Sequence, residues 1–96
     1  MHTIYKYQLP FADSFSVPLP MGASIVSFGN QNEIPTIWAI VNKNAVKNDL
    51  IKPRKFRMAG TGHDINCADL LYIGTAHFQR SSLIFHLFED KSEDIA

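Results

Sequence analysis

The sequence holds a single cysteine, Cys67, so no internal disulfide framework can brace it, and a reducing compartment is expected. No apolar run approaches the ~20 residues that cross a bilayer. The opening residues, Met1-His2-Thr3-Ile4-Tyr5-Lys6, have neither the apolar stretch nor the small-residue cleavage site of a secretory signal. Charge of one sign is also missing: nine Lys and Arg meet nine Asp and Glu. A dedicated nucleic-acid binder normally carries a basic surplus, so nucleic acid is not expected as a partner. No segment of ordinary helix length repeats its apolar residues with the helical period. Together these absences point to a soluble protein of the cell interior, with no membrane partner.

What is present fits one small domain. With 96 residues, 46% of them hydrophobic, the chain can bury one modest core and not two. Turn-forming residues interrupt it about every eight to twelve positions, the spacing of an all-β chain. Strands are expected over 3–9, 15–19, 23–28, 34–41, 55–60, 70–78 and 82–88. In the first, Thr3, Tyr5, Tyr7 and Leu9 share one face. The stretch 34–41 is apolar except for Thr36, which predicts a central strand buried on both faces. The polar stretch 42–53 predicts a connection with one helical turn around 45–50. The fold class that follows is all-β: a small antiparallel sandwich or partly open barrel of six or seven strands, spanning 1–88. Residues 89–96 hold four acids and one base and read as a solvated acidic C-terminal tail. Ile25, Phe28, Ile37, Trp38, Ile40, Phe56, Met58, Leu71, Ile73 and Phe85 are expected in the core.

Without that tail the charge is uneven. Residues 1–88 carry eight bases against five acids, and five of the bases are Lys47, Lys52, Arg54, Lys55 and Arg57. This basic stretch leads directly into Gly60-Thr61-Gly62-His63. Glycines let backbone approach a ligand, and successive N–H groups in such a turn form an anion-binding nest. Arg57 alternates away from Phe56 and Met58, which gives a fork-shaped donor on the outer face. A second Gly-Thr step, Gly74-Thr75, follows Tyr72. The candidate ligand-binding set is therefore Arg57, Gly60, Thr61, Gly62, His63, Tyr72 and Thr75, facing one cavity. The same glycines also serve a chain that merely turns, and the motif is not a P-loop.

Catalysis is not expected. His63, Cys67, His77 and His86 follow no compact metal-ligand spacing, so neither a metal nor another cofactor is expected. Cys67 and His63 lack a third, orienting group, and no paired carboxylates or serine elbow appear. His86 lies between Phe85 and Leu87 and reads as a core or interface histidine.

Several segments together resemble a known family. They are 4–10, 19–23, Ile37-Trp38-Ala39, 56–63 with its Gly-Thr-Gly-His ending, Tyr72-Ile73-Gly74-Thr75, and Phe85-His86-Leu87-Phe88-Glu89. In this order they resemble short uncharacterised proteins found largely in phage genomes and prophages. The family has no established activity. The resemblance implies a phage protein working in the bacterial host cytoplasm. The expected function is a non-enzymatic binding module that sequesters an anionic, nucleotide-type ligand to counter host immunity. The alternatives are a protein–protein inhibitor of a host enzyme and a minor phage structural or assembly protein. Eleven aromatic residues in so small a body, together with open sheet edges, predict a homo-oligomer, most simply a dimer.

Overall fold

The computed structural model describes residues 1–92. Seven strands and one short helix follow in order: β1 (His2–Gln8), β2 (Ser14–Pro20), β3 (Ser24–Gln31), β4 (Ile34–Asn42), α1 (Lys43–Lys47), β5 (Ile51–Gly60), β6 (Leu70–Phe78) and β7 (Leu83–Asp90). They form two antiparallel sheets, one ordered β1-β4-β3 and the other β2-β5-β7-β6. The all-β sandwich expected from the sequence is present, and it is not closed into a barrel.

Alternation along the strands builds the core between the sheets. β4 contributes Ile37, Ala39 and Val41; β5 contributes Phe56 and Met58; β7 contributes Leu87 and β2 contributes Leu19. All are almost wholly removed from water, each apolar side chain stabilising the fold by about 1.5–3 kcal/mol for a Leu, Ile or Phe. The sheets meet along β3 and β6. Each carries a bulge there, at 25–27 and 72–74. Gly74 lets the strands approach, since a Cβ on it would lie 3.4 Å from the Phe28 Cβ. Asn30 Nδ2 donates to the His77 carbonyl at 2.9 Å across the same seam. The other side of the sandwich, between β1 and β2, is open.

Three expectations need correction. Trp38 and Ile40 point away from the core: Trp38 is half-buried over Gly29, and Ile40 is exposed. The apolar run of β4 does not bury both faces alike: on the outer face of the three-stranded sheet Thr36 is buried, Trp38 is half-buried and Ile40 is open. Leu71 is likewise exposed, beside the β6 bulge. The third correction concerns the tail. Glu89 and Asp90 belong to β7, and Glu89 is buried, so the boundary drawn after 88 falls inside a strand. Residues 93–96 of that expected tail lie outside the described residues. The expected helical turn is α1, two residues earlier, capped by Asn42 Oδ1, which accepts from the Asn44 N–H.

Candidate functional site

The basic stretch does not act as one patch. Arg54 turns inward with Phe56 and Met58, and its guanidinium forks onto Glu89: Nε to Oε2 at 2.7 Å, Nη2 to Oε1 at 2.8 Å. Its Nη1 also donates to the Ala23 carbonyl, tying the strand to the chain just before β3. Burial pushes the Glu89 carboxyl up, but the Arg54 bonds and charge, with help from Lys91, outweigh it and hold it below its ordinary value. Arg54 is therefore a strut between β5, β7 and the start of β3, and not an anion receptor.

Arg57 points the other way, onto the outer face of the four-stranded sheet. Pairing puts Ser14, Arg57, Phe88 and Tyr72 in one row across β2, β5, β7 and β6. The Arg57 Nε donates to the Asp13 carbonyl at 3.1 Å. The Phe88 and Tyr72 rings meet edge to face, with centroids 5.6 Å apart. The neighbouring row is Ala59, His86 and Thr75.

The glycine turn closes onto this second row. His63 N–H donates to the Gly60 carbonyl at 3.0 Å, and Gly60 N–H donates back to His63 Nδ1 at 3.2 Å. The imidazole lies against Gly60 so closely that a Cβ there would come within 2.9 Å of Cε1. Gly62 supplies the left-handed corner at φ +90°. Gly60, Gly62 and His63 are thus turn formers, and the turn delivers Thr61 to the outer face.

There a continuous chain of hydrogen bonds forms. Thr61 Oγ1 bonds His86 Nε2 at 2.8 Å, His86 Nδ1 bonds Thr75 Oγ1 at 2.9 Å, and Tyr72 OH bonds Thr75 Oγ1 at 2.6 Å. Both ring nitrogens are engaged by hydroxyls, which can donate or accept. A neutral ring gives the chain one direction; a charged ring donates to both threonines. Tyr72 and Thr75 are three apart, so simple alternation would put them on opposite faces. The bulge between Tyr72 and Gly74 puts them on the same one.

The face also carries Asp90, paired in register with Lys55 and Leu70. Bonds from the Ser92 hydroxyl and N–H, and then charge from Lys55 and Arg57, hold its carboxyl below the ordinary value.

Of the seven expected residues, the structure joins Thr61, Thr75 and Tyr72 in one network and sets Arg57 in the same row as Tyr72. The expected shared cavity is not what joins them. Three surface grooves, of about 710, 350 and 370 Å³, touch neither Arg57 nor residues 60–63; Tyr72 borders the second. The site is an open sheet face. His86 and Phe88 are the residues that sequence reasoning missed. The signal was alternation: both sit on the face opposite Leu87, and Leu87 is core.

Among the described residues no three His, Cys, Asp or Glu side chains are grouped to hold a metal, and no helix is long and apolar enough to cross a membrane. Cys67 is exposed, with a free thiol. No curated protein and no solved structure matches the chain. A family model described as a domain of unknown function, DUF7352, matches residues 1–96, and the chain belongs to that family.

Proposed function

We propose that the chain is a non-catalytic binding module that holds a small anionic, nucleotide-type ligand on the outer face of its four-stranded sheet. The observation that carries this reading is the pair of adjacent rows, Arg57–Phe88–Tyr72 and His86–Thr75, with Thr61 joined to the second by its hydrogen bond. A guanidinium offers charge-assisted bonds to a phosphate. The Tyr72–Phe88 pair offers aromatic surface to a base; stacking on such surface contributes ~1–3 kcal/mol. Threonine hydroxyls and an imidazole between them accept or donate as the ligand requires. The resemblance to phage and prophage proteins supports a setting in the host cytoplasm, where removing a nucleotide signal counters host immunity.

The same reading includes a homodimer built through β1. The other edges are guarded: β2 carries Pro18 and Pro20, and β3 and β6 close on each other. The bonds from Lys43 N–H to the Met1 carbonyl and from Leu9 N–H to the Pro35 carbonyl set the phase of the β1–β4 ladder. Odd residues then bond β4, and Ile4 and Lys6 turn their N–H and C=O groups outward. Lys6 reaches across the sheet to Gln31 at 2.8 Å rather than standing guard over the edge. A second reading, inhibition of a host protein, draws on the exposed apolar surface of Ile4, Val26 and Ile40 beside Trp38. Chemical-shift mapping with nucleotides separates the two. Shifts at His86, Phe88 and Tyr72 support the ligand site; their absence with every nucleotide leaves the protein-binding reading.

A further inference from the structure

A separate cleft lies at the end of the sandwich, where the β3–β4 and β6–β7 turns meet the loop that follows β1. It has a volume of about 370 Å³ and is lined by Phe11, Phe78, Leu83 and Phe85, with Glu33 and Gln79 at its polar side. The three rings pack mutually: Phe11 meets Phe78 at 5.2 Å and 77°, Phe11 meets Phe85 at 5.6 Å and 54°, and Phe78 meets Phe85 at 6.0 Å. Phe78 is buried, whereas Phe11 leaves 54% of its surface open.

Both turns beside the cleft hold side-chain-bearing residues in the left-handed region: Asn32 and Glu33 at φ 54° and 65°, then Gln79, Arg80 and Ser81 at 49°, 55° and 70°. Each such residue is costly relative to ordinary backbone. The conformation is held by specific bonds. Asn30 Oδ1 accepts from the Glu33 N–H at 2.7 Å, and Glu33 Oε2 accepts from the Gln79 N–H at 3.0 Å. These bonds fix the Glu33 carboxylate at the edge of an aromatic cleft. Among the described residues no Lys or Arg is ion-paired with it, although Arg80 is in the adjoining turn.

We infer that this cleft receives an arginine side chain of a partner protein. A guanidinium is planar and weakly hydrated, so it can lie on an exposed phenyl face while donating to a carboxylate at its edge. Its aliphatic stem suits the apolar wall formed by Leu83 and Phe85. A purely apolar group would cover part of the Glu33 carboxylate while offering its charge no counter-charge, and an anion would be repelled by it. This surface is distinct from the outer sheet face that carries the nucleotide reading and stands independently of it.

The test titrates the ¹⁵N-labelled chain with N-acetyl-arginine amide, followed by amide chemical shifts. Saturable shifts centred on Gln79, Leu83 and Phe11 are expected, with weaker binding of N-acetyl-lysine amide. Glu33→Gln should weaken the arginine probe about tenfold, the loss of one charge-assisted bond. Phe11→Leu keeps the loop apolar but removes the ring, and should weaken it several-fold. Arg57→Ala, on the other face, should leave it unchanged. Shifts that do not saturate, that spread over the whole surface, or that are indifferent to Glu33→Gln would overturn the proposal. So would equal binding of a neutral isosteric probe, N-acetyl-norleucine amide.

Discussion

Replacing Arg54 by alanine should destabilise the fold by ~3–5 kcal/mol, the usual consequence of removing one partner of a buried ion pair. The magnitude follows from burial. The Glu89 side chain is 6% exposed and that of Arg54 16%. Without the guanidinium, a carboxylate is left in the interior, and the tie to the Ala23 carbonyl goes with it. Lys91 offsets part of the loss, since its Nζ is 3.4 Å from Glu89 Oε2, but its own side chain is 53% exposed. The total stability of a domain this size is about 5–14 kcal/mol, so the variant loses a large share of it. Urea denaturation followed by far-ultraviolet circular dichroism measures the difference. The double variant Arg54→Met with Glu89→Leu should cost less than Arg54→Ala alone, because no charge is then stranded. A cost below ~1 kcal/mol for Arg54→Ala, the range of an exposed pair, would refute the strut. The pH dependence has a fixed sign. The folded Glu89 binds its proton less readily than the unfolded one, whose ordinary value is about 4.3. Its contribution is therefore present above that value and is lost as pH falls through the lower folded one. Wild-type stability should hold near neutrality and drop below about pH 4, and the Arg54→Met/Glu89→Leu variant should drop less steeply.

Three further outcomes follow from the same structure. Ile37→Ala, at a fully buried position, should cost ~2–5 kcal/mol, whereas Trp38→Ala, on the outer face where the ring is only partly buried over Gly29, should cost less than the ~3–5 kcal/mol of a core tryptophan; thermal denaturation measures both. Asp90→Asn should strengthen binding of a phosphate-bearing ligand several-fold by removing a carboxylate that interacts with the Arg57 charge, as read by calorimetric titration. Lys6→Pro deletes an outward N–H of β1 without touching the β1–β4 bonds, so it should turn a dimer into a folded monomer by light scattering. A wild-type chain that is monomeric at high concentration contradicts the β1 interface.

Much of the fold was legible from sequence because the strands alternate and are bounded by turn residues. All seven expected strands are present, with β3, β5 and β7 running past their expected bounds, and Thr3, Tyr7 and Leu9 do share the inward face. The errors arose where a local rule met tertiary context. The polar stretch 42–53 reads as a connection, yet β5 starts at Ile51, and Pro53 sits within it opposite Pro18 of a proline-bearing edge strand. Glu89 looked like the start of a tail because composition cannot show that Arg54, 35 residues earlier, waits opposite it. Trp38 looked like core because apolarity does not say which sheet face is covered. The candidate site was half legible. The Gly-Thr-Gly-His turn and Tyr72, Thr75 and Arg57 were found by chemistry. His86 reads from the sequence as a core or interface histidine, and the structure places it half-buried on the outer face, outside the core. The bulge that unites Tyr72 and Thr75 leaves only a glycine as its trace in the sequence.

The central claim is that the outer face of the four-stranded sheet binds an anionic nucleotide through Arg57 and its row. Thermal denaturation of the wild type and of Arg57→Ala, against a panel of cyclic and linear nucleotides, tests it most directly. The account predicts at least one nucleotide that, at about a hundredfold over its dissociation constant, stabilises the wild type by ~2.7 kcal/mol. It further predicts that Arg57→Ala, with nearly unchanged stability in the absence of ligand, loses most of that gain. A panel in which no nucleotide stabilises the wild type, or in which Arg57→Ala is stabilised as much as the wild type, contradicts it.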